Sequence, residues 1–576
     1  MFSFPWTRFH SSKLNSTMTK PSLDTAGPFL KFTNCTPEDG WSGSVMYMTK
    51  LEGVTPILTV KDGSSSKLDK GPRLLDTELG WNFWRFDIRV QLSDVEREIE
   101  YEIKAGDVVS TASFWVQAEG KPFHFGYTSC NGISGSIAED HYSRKDPTYL
   151  WRDMLQVHES FPLHCLIGGG DQVYSDPIWK LDLFSEWGDL PHMEDKIRAS
   201  WTEEHHKAAT EFYLNNYLES YMMEHVCTAY ASIPSVMIWD DHDIWDGFGS
   251  YSKKLQDCEF FQGLFKVAKR FYLLFQLQAT EEFARECSEF LEEAEGFHSV
   301  KFMGPQVALL GIDMRTKRSK KKILPDTTYD LLEKAMLGLP ETVDHVVVLS
   351  GVPVVFPSIL MSESILMGML ALFKRSAFLR RCGKAAGILD RFDQPEILDD
   401  LLDGWAASVH RDEKNKFIQM LQRAAQKKKY RVSILSGDAH VGGIGEIYSR
   451  ARPRPSKEKD PLFMYQVISS AIMNSPPPDG VVSTLTRTNF AKVIDHKSKQ
   501  KMMKAFGRFH NPTEKLLAQR NWCDISVHSP PYAPPSNPKD PYFGGLRFSL
   551  RAEDPDEKKG YAEDVYNIVT PRFPKN

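Results

Sequence analysis

Three short stretches of this 576-residue chain are much richer in metal-ligating chemistry than their surroundings: GGDQVYSD at 169–176, WDDHDIWDGFGS at 239–250 and SGDAHVGG at 436–443. In the second, Asp240, Asp241, Asp243 and Asp246 crowd around His242, next to Trp239, Trp245 and Phe248. Carboxylates packed this closely repel one another and are costly to bury unless cations neutralise them. A solvated acidic turn is the blander alternative, and the aromatic neighbours weigh against it. Asp438 and His440 stand two apart, so an extended backbone would turn both to one side, a carboxylate and an imidazole ready for a metal. A packed core histidine is the alternative there. Asp171 follows three glycines that let the chain turn tightly. Each oxygen of its carboxylate can bind a different cation, and Tyr174 can return to the same place as a phenolate. An Asx turn with a packed tyrosine would explain the same residues. Cys130, before Asn131 and Gly132, offers a thiolate if a cation lowers its pKa, although a lone cysteine is usually packing. Arg315, in DMRTKR, presents a planar fork suited to a phosphate or a carboxylate, with a salt bridge to Asp313 as the alternative.

All five of these places directly follow a short apolar run. PFHFGYTSC, LHCLIGG, PSVMIWD, VALLGIDM, HVVVLSG, RVSILSG and LFMYQVISS read as strands, and 147–160, 204–227, 258–292 and 409–429 read as helices. Strands alternating with helices predict an α/β domain, in which ligands collect outside the carboxyl ends of the strands. We expect four parts: a flexible tail at 1–27, a β-sandwich at 28–118, an α/β domain at 119–480 and a Pro-rich, surface-wrapping extension at 481–576. The sandwich rests on alternating runs such as SVMYMTKL and WNFWRFDIRVQL, separated by Gly and Asp.

Composition narrows the classes. A net charge of -6 and near-balanced acids and bases argue against a general nucleic-acid binder. Eight cysteines without a CxxC pair argue against a disulfide-stapled module and fit a reducing, cytosolic compartment. Arg8, Lys13 and Lys20 precede the first acid, Asp24, which also fits a weak mitochondrial presequence; a flexible tail is the preferred reading. The apolar stretch 352–373 is broken by Pro353, Pro357 and Glu363, so no transmembrane segment is expected. Its basic flank, Lys374, Arg375, Arg380 and Arg381, suits peripheral contact with a membrane surface, but a buried or partner-facing helix is favoured. GxSxG in a strand–turn–helix setting and GxxxxGK[ST] are both missing, which disfavours serine hydrolases and P-loop NTPases. Nothing in the sequence sets an oligomeric state.

The order Cys130, GGDQVYSD, WDDHDIWDGFGS, GIDMRTKRS, SGDAHVGG resembles the PhoD-like branch of the metallophosphatases over residues 120–480, with WDDHD and GDxH the most specific elements. The resemblance implies a four-layer α/β/β/α fold preceded by a small β-sandwich, and hydrolysis of phosphomonoesters or phosphodiesters by a metal-activated water. It implies two or more metal ions, iron with calcium in the bacterial relatives; zinc, manganese or magnesium would also suit such ligands. Carried over, the metal ligands are Cys130, Asp171, Tyr174, Asp241, Asp438 and His440, with His242 a catalytic or phosphate-contacting residue and Arg315 a phosphate contact. Asp246 stands where bacterial members have Asn, and is counted with the metal ligands because its extra negative charge bears on cation choice. No Asp-x-His pair precedes Asp171; Cys130 occupies that region, as in the PhoD-like branch. The insertions at 258–300 and 358–400 bear on the substrate rather than on the chemistry. Two other functions use the same residues: a catalytically degenerate phosphatase fold serving as a scaffold, and a metal-dependent hydrolase of non-phosphate esters.

Overall fold

The computed structural model describes residues 24–574 apart from 62–65, 69–70, 134–145, 287–288, 292–294, 358–403, 478, 488–490, 508–513, 529–541, 555–561 and 563. It is a mixed α/β structure with three sheets, of eleven, nine and three strands. At the centre of the eleven-stranded sheet, Phe125–Thr128, Cys165–Gly169 and Ser235–Ile238 lie parallel, with Gly168 beside both Thr128 and Met237. These strands are buried on both faces, as expected for continuous apolar runs in a parallel sheet. In the nine-stranded sheet Val307–Gly311, His345–Ser350, Arg431–Ser436 and Met464–Ile468 are likewise parallel neighbours.

The strands expected within 28–118 are present, but they divide between two sheets. Thr25–Thr36 begins inside the stretch expected as a tail and pairs parallel to Ser235–Ile238 through Lys31 and Ser235. Gly40–Thr49 and Trp81–Val90 follow it, so these strands extend the eleven-stranded sheet. Ile57–Lys61, Arg97–Ala105 and Val108–Val116 form the three-stranded sheet. At the other end of the large sheet, Asn521–Val527 pairs antiparallel to Phe125–Thr128 and is followed by Leu546–Ala552 and Asp564–Thr570. Much of the stretch expected to wrap the surface is therefore sheet. Its apolar residues Trp522, Cys523, Ile525, Phe548 and Leu550 are fully buried.

Three apolar clusters follow from the strand periodicity. One takes inward residues of both large sheets, among them Tyr127, Ile167, Val236, Leu309, Val347 and Leu435. A second packs the first sheet against Tyr149–Ser160, Glu203–Tyr221, Glu224–Ser232 and Glu259–Phe275. The third packs the second sheet against Asp326–Leu337 and Arg411–Lys428. The single helix expected over 258–292 is broken after Phe275. Gln278 adopts a left-handed φ of 49°, and its side chain ties down Phe29 O and Ser44 Oγ, which periodicity does not reveal. The helix expected over 204–227 likewise ends at Tyr221 and resumes at Glu224. Among the described residues no helix is long and apolar enough to cross a membrane. The insertion at 358–400, the basic flank at 374–381 and residues 1–23 lie outside the described residues.

Candidate metal centre

Because Phe125–Thr128, Cys165–Gly169 and Ser235–Ile238 are parallel and in register, the residues after them leave the sheet on one edge. Cys130, Asp171, Asp240 and Asp241 therefore emerge together. The second sheet brings Asp438 and His440 to the same place at the end of Arg431–Ser436. The two sheets are tied here: Ser129 Oγ donates to Ser469 O at 3.0 Å, and Ile472 N–H donates to Ser129 O at 3.0 Å.

The acidic groups converge. Asp171, Asp240 and Asp241 are buried, each with a carboxylate oxygen within 4.8 Å of the other two. Oxygens that share one cation at 2.0–2.5 Å lie no more than roughly 5 Å apart, so this spacing fits an ion. Oδ1 of Asp171 is buried without a hydrogen-bond partner. Burial, then the neighbouring Asp241, Asp240 and Asp243, push the Asp171 carboxyl well above its ordinary range. A bound cation would reverse that balance and favour the carboxylate. The loop is close-fitting: Gly170 has φ of 110°, and a Cβ there would come 2.7 Å from Cβ of Asp240.

Asp243 knits the two acidic loops together. Its Oδ2 accepts from the amides of both Asp171 and Asp240 at 2.9 Å, and its Oδ1 from Val173 N–H at 3.1 Å and Gln276 Nε2 at 2.9 Å. Arg315 is fully buried behind these loops. Its Nε donates to Asp240 Oδ1, its Nη1 to Phe248 O at 3.0 Å, and its Nη2 lies 3.2 Å from Asp241 Oδ1. Burial opposes ionisation of Asp241, but Arg315 and His242 outweigh it, and the carboxyl falls below its usual range.

The remaining candidates surround this group. Cys130 Sγ lies 3.4 Å from Asp171 Oδ2 and 3.0 Å from Ser470 Oγ. Burial raises its thiol far above the ordinary value, so only a nearby cation would make it a thiolate. The Tyr174 hydroxyl is 3.0 Å from His440 Nε2, and its ring lies over His242 with centroids 4.4 Å apart. Burial pushes His440 down to about 3, which keeps its imidazole neutral and able to ligate. His242 is raised instead: burial opposes the charge, but Asp176 Oδ2, 2.6 Å from Nδ1, overrides it. Asp246 lies on the same turn, half-buried, its amide donating to Asp176 Oδ1 at 2.8 Å, and it is not part of the three-carboxylate group.

The extended geometry expected for Asp438 and His440 is not the one adopted. Their φ angles are 66° and 50°, and Cys130 and Asp171 are also left-handed at 55° and 54°. Non-glycine residues held there cost of order 1–3 kcal/mol each and persist where the surroundings over-determine them. A tight turn, not an alternating strand, carries both residues, with the His440 amide held by Ser470 Oγ at 3.1 Å and its ring against the Tyr174 hydroxyl. Asp240, Asp176, Asp243 and Ser470 join the site without an individual role assigned to them from sequence. The first three stand inside the acidic stretches, so the signal was present without a means of ranking them. Ser470 has none. Two clefts of about 650 and 630 Å³ open elsewhere, and neither is lined by Asp171, Asp241 or His440. The site is located by its donor groups, not by concavity.

A family profile described as PhoD related phosphatase matches residues 113–378 and 371–530, well over half of the chain. The chain belongs to the PhoD related phosphatases. An uncharacterized protein of Saccharomyces cerevisiae is 28% identical over 581 residues, an alignment spanning 87% of this chain and 80% of the yeast protein. A solved structure titled "Structure of PhoD" superposes with a TM-score of 0.51 at 11% identity, covering 97% of this chain and 90% of that one. At that identity it speaks for the fold alone. Placed on the PhoD related family, the matched span takes in every acidic loop described above.

Proposed function

We propose that this PhoD related chain hydrolyses phosphate esters, mono- or diesters, with a water activated by two or more cations at the shared strand edge. The observation that carries this reading is the convergence of Asp171, Asp240 and Asp241, buried, with oxygens within 4.8 Å and Asp171 Oδ1 left without a hydrogen bond. Asp171, Asp240, Asp241, Cys130, Tyr174, Asp438 and His440 form the donor set, with Asp246 at its margin. Oxygens, an imidazole and a thiolate together suit a harder and a softer cation, in line with iron beside calcium. Cations bound there supply Lewis-acid polarisation of the phosphoryl oxygens and lower the pKa of water.

The protein's own groups do the rest. Asp243 and Arg315 hold the acidic loops at fixed separation, so the carboxylates need no reorganisation when substrate arrives. Arg315 has its donors on Asp240, Asp241 and Phe248 O, and in this reading it positions carboxylates instead of touching phosphate. His242, kept protonated by Asp176, is the group that steadies a phosphoryl oxygen and gives its proton to the leaving alkoxide. The layers suit the same reading: two facing sheets with helices outside, α/β/β/α, with N-terminal strands continuing one of the sheets.

Turnover of an aryl phosphate and of an aryl phosphodiester, alongside elemental analysis of the purified protein, tests the proposal. Asp438→Ala and His440→Ala are expected to lower kcat/KM by at least about 10²-fold, the scale of losing one electrostatic group. Full activity in both variants would overturn the assignment.

A further inference from the structure

A cleft with a volume of about 650 Å³ opens between the nine-stranded sheet and the edge strand Asp564–Thr570 of the eleven-stranded sheet, and the hydrolysis above uses none of its residues. One wall is built by Ile444, Tyr465 and Met503 of the nine-stranded sheet and its continuation, the other by Tyr566, Ile568 and Val569 of the eleven-stranded sheet. Lys457, Lys504, His528, Tyr542 and Asn567 supply its polar lining, in which no carboxylate stands among the described residues.

Two carboxylates among the described residues touch lining side chains, one exposed and one ringed by cations. Asp564 accepts from the Tyr566 hydroxyl at 3.3 Å. Glu446, almost fully buried, is met by Lys457 at 2.8 Å, Lys501 at 3.3 Å and Arg454 at 3.4 Å. Three cations around one carboxylate leave a positive surplus at this end of the cleft, and Lys457 belongs to both the cluster and the lining. Lys457 Nζ also donates to the Tyr465 hydroxyl at 2.5 Å. Lys504 stands exposed at the rim.

A cleft with ammonium donors, three tyrosines, an apolar floor and no carboxylate among its described lining residues selects an anion with a flat or apolar body. Aromatic faces hold rings by stacking, and a positive surplus in a partly enclosed cleft concentrates anions. We propose that this cleft is a second ligand site, separate from the metal centre, for an organic phosphate bearing a ring, of the nucleotide class. Lys457, Lys504 and His528 face the phosphate, and Tyr542 and Tyr566 the ring.

ADP titrated calorimetrically into the full chain tests this, using Asp171→Asn to silence the metal centre and, in parallel, the unaltered chain with a hydrolysis-resistant ADP analogue. One saturable site is expected in both. Lys504→Glu and Tyr566→Leu, at exposed and half-buried positions, should each weaken it about tenfold, a difference readily resolved in Kd. Inorganic phosphate should bind more weakly than ADP, and phosphatidylserine vesicles should not displace ADP. The proposal is overturned by an absence of saturable ADP binding, by unchanged affinity in both variants, or by inorganic phosphate binding as tightly as ADP. Displacement of ADP by the vesicles overturns it as well, since the ligand would then be a lipid headgroup. These outcomes are read as binding, so they stand apart from success or failure of the hydrolysis assays.

Discussion

The hydroxyl of Tyr174 and Nε2 of His440 lie 3.0 Å apart across a sequence separation of 266 residues, joining the end of one sheet to the end of the other. Tyr174→Phe keeps the ring against His242 and removes the hydroxyl that reaches His440. We expect unchanged thermal stability and a 10–100-fold loss of metal affinity or activity, roughly the effect of removing a group that orients a ligand. Metal titration followed by tyrosine absorbance checks it, and an unaltered metal affinity would take Tyr174 out of the site.

Arg315 should matter for stability before it matters for catalysis. Arg315→Met leaves Asp240 and Asp241 buried without their cation, a loss of about 3–5 kcal/mol by analogy with broken buried pairs. Saturating metal should restore part of that stability, because a cation substitutes for the lost charge, whereas Arg315→Lys should keep charge without the fork. Urea unfolding of each variant with and without metal measures this. Equal destabilisation in both conditions would argue that no cation reaches these carboxylates.

Acid should weaken the fold through His345. Its Nε2 lies 2.9 Å from Gly544 O, and burial holds its pKa down at about 4. Above about pH 6.5 neither folded nor unfolded chain carries the proton; between about 6.5 and 4 only the unfolded chain takes it up. Stability therefore falls as pH drops through this window, by about 3 kcal/mol in all, and levels off below it. His158, held at about 4 by burial, adds a second contribution. Denaturant midpoints at pH 7 and 4.5 should differ less in His345→Gln than in the unaltered chain.

Glu289 anchors three cations. Lys31, Arg85 and Lys301 all reach it, the last two at 3.2 and 3.3 Å, and all four side chains are at most 7% exposed. They come from the strands Thr25–Thr36, Trp81–Val90 and Ser299–Phe302, so one carboxylate holds parts of both large sheets. Glu289→Gln should cost about 3–5 kcal/mol by stranding buried charge. A midpoint shift as small as that of an exposed pair such as Lys253–Asp257 would show that the cluster is solvated.

The strand ends were legible because parallel, doubly buried strands leave continuous apolar runs, and the residues directly after such runs must face the ligand edge. GGDQVYSD, WDDHD and GDAH could be read for that reason. The fork of Arg315 suits a phosphate or a carboxylate equally in sequence, which shows its chemistry but not its neighbours; two of its donors reach Asp240 and Asp241. Asp240 and Asp243 differ only in where their carboxylates point, a matter of backbone turn. The pairing of Lys31 with Ser235, which extends the large sheet through the N-terminal strands, joins residues some two hundred positions apart and has no periodicity to betray it.

The strand Asn521–Val527 lies against Phe125–Thr128, and the Asn521 side chain donates from Nδ2 to Ser470 O at 2.9 Å while accepting from Ser469 Oγ at 2.8 Å. Ser470 in turn contacts Cys130 and the His440 amide. During synthesis the acidic edge is thus incomplete until Asn521 has left the ribosome. A chain ending before Asn521 would carry all the acidic loops yet lack the brace that seats them.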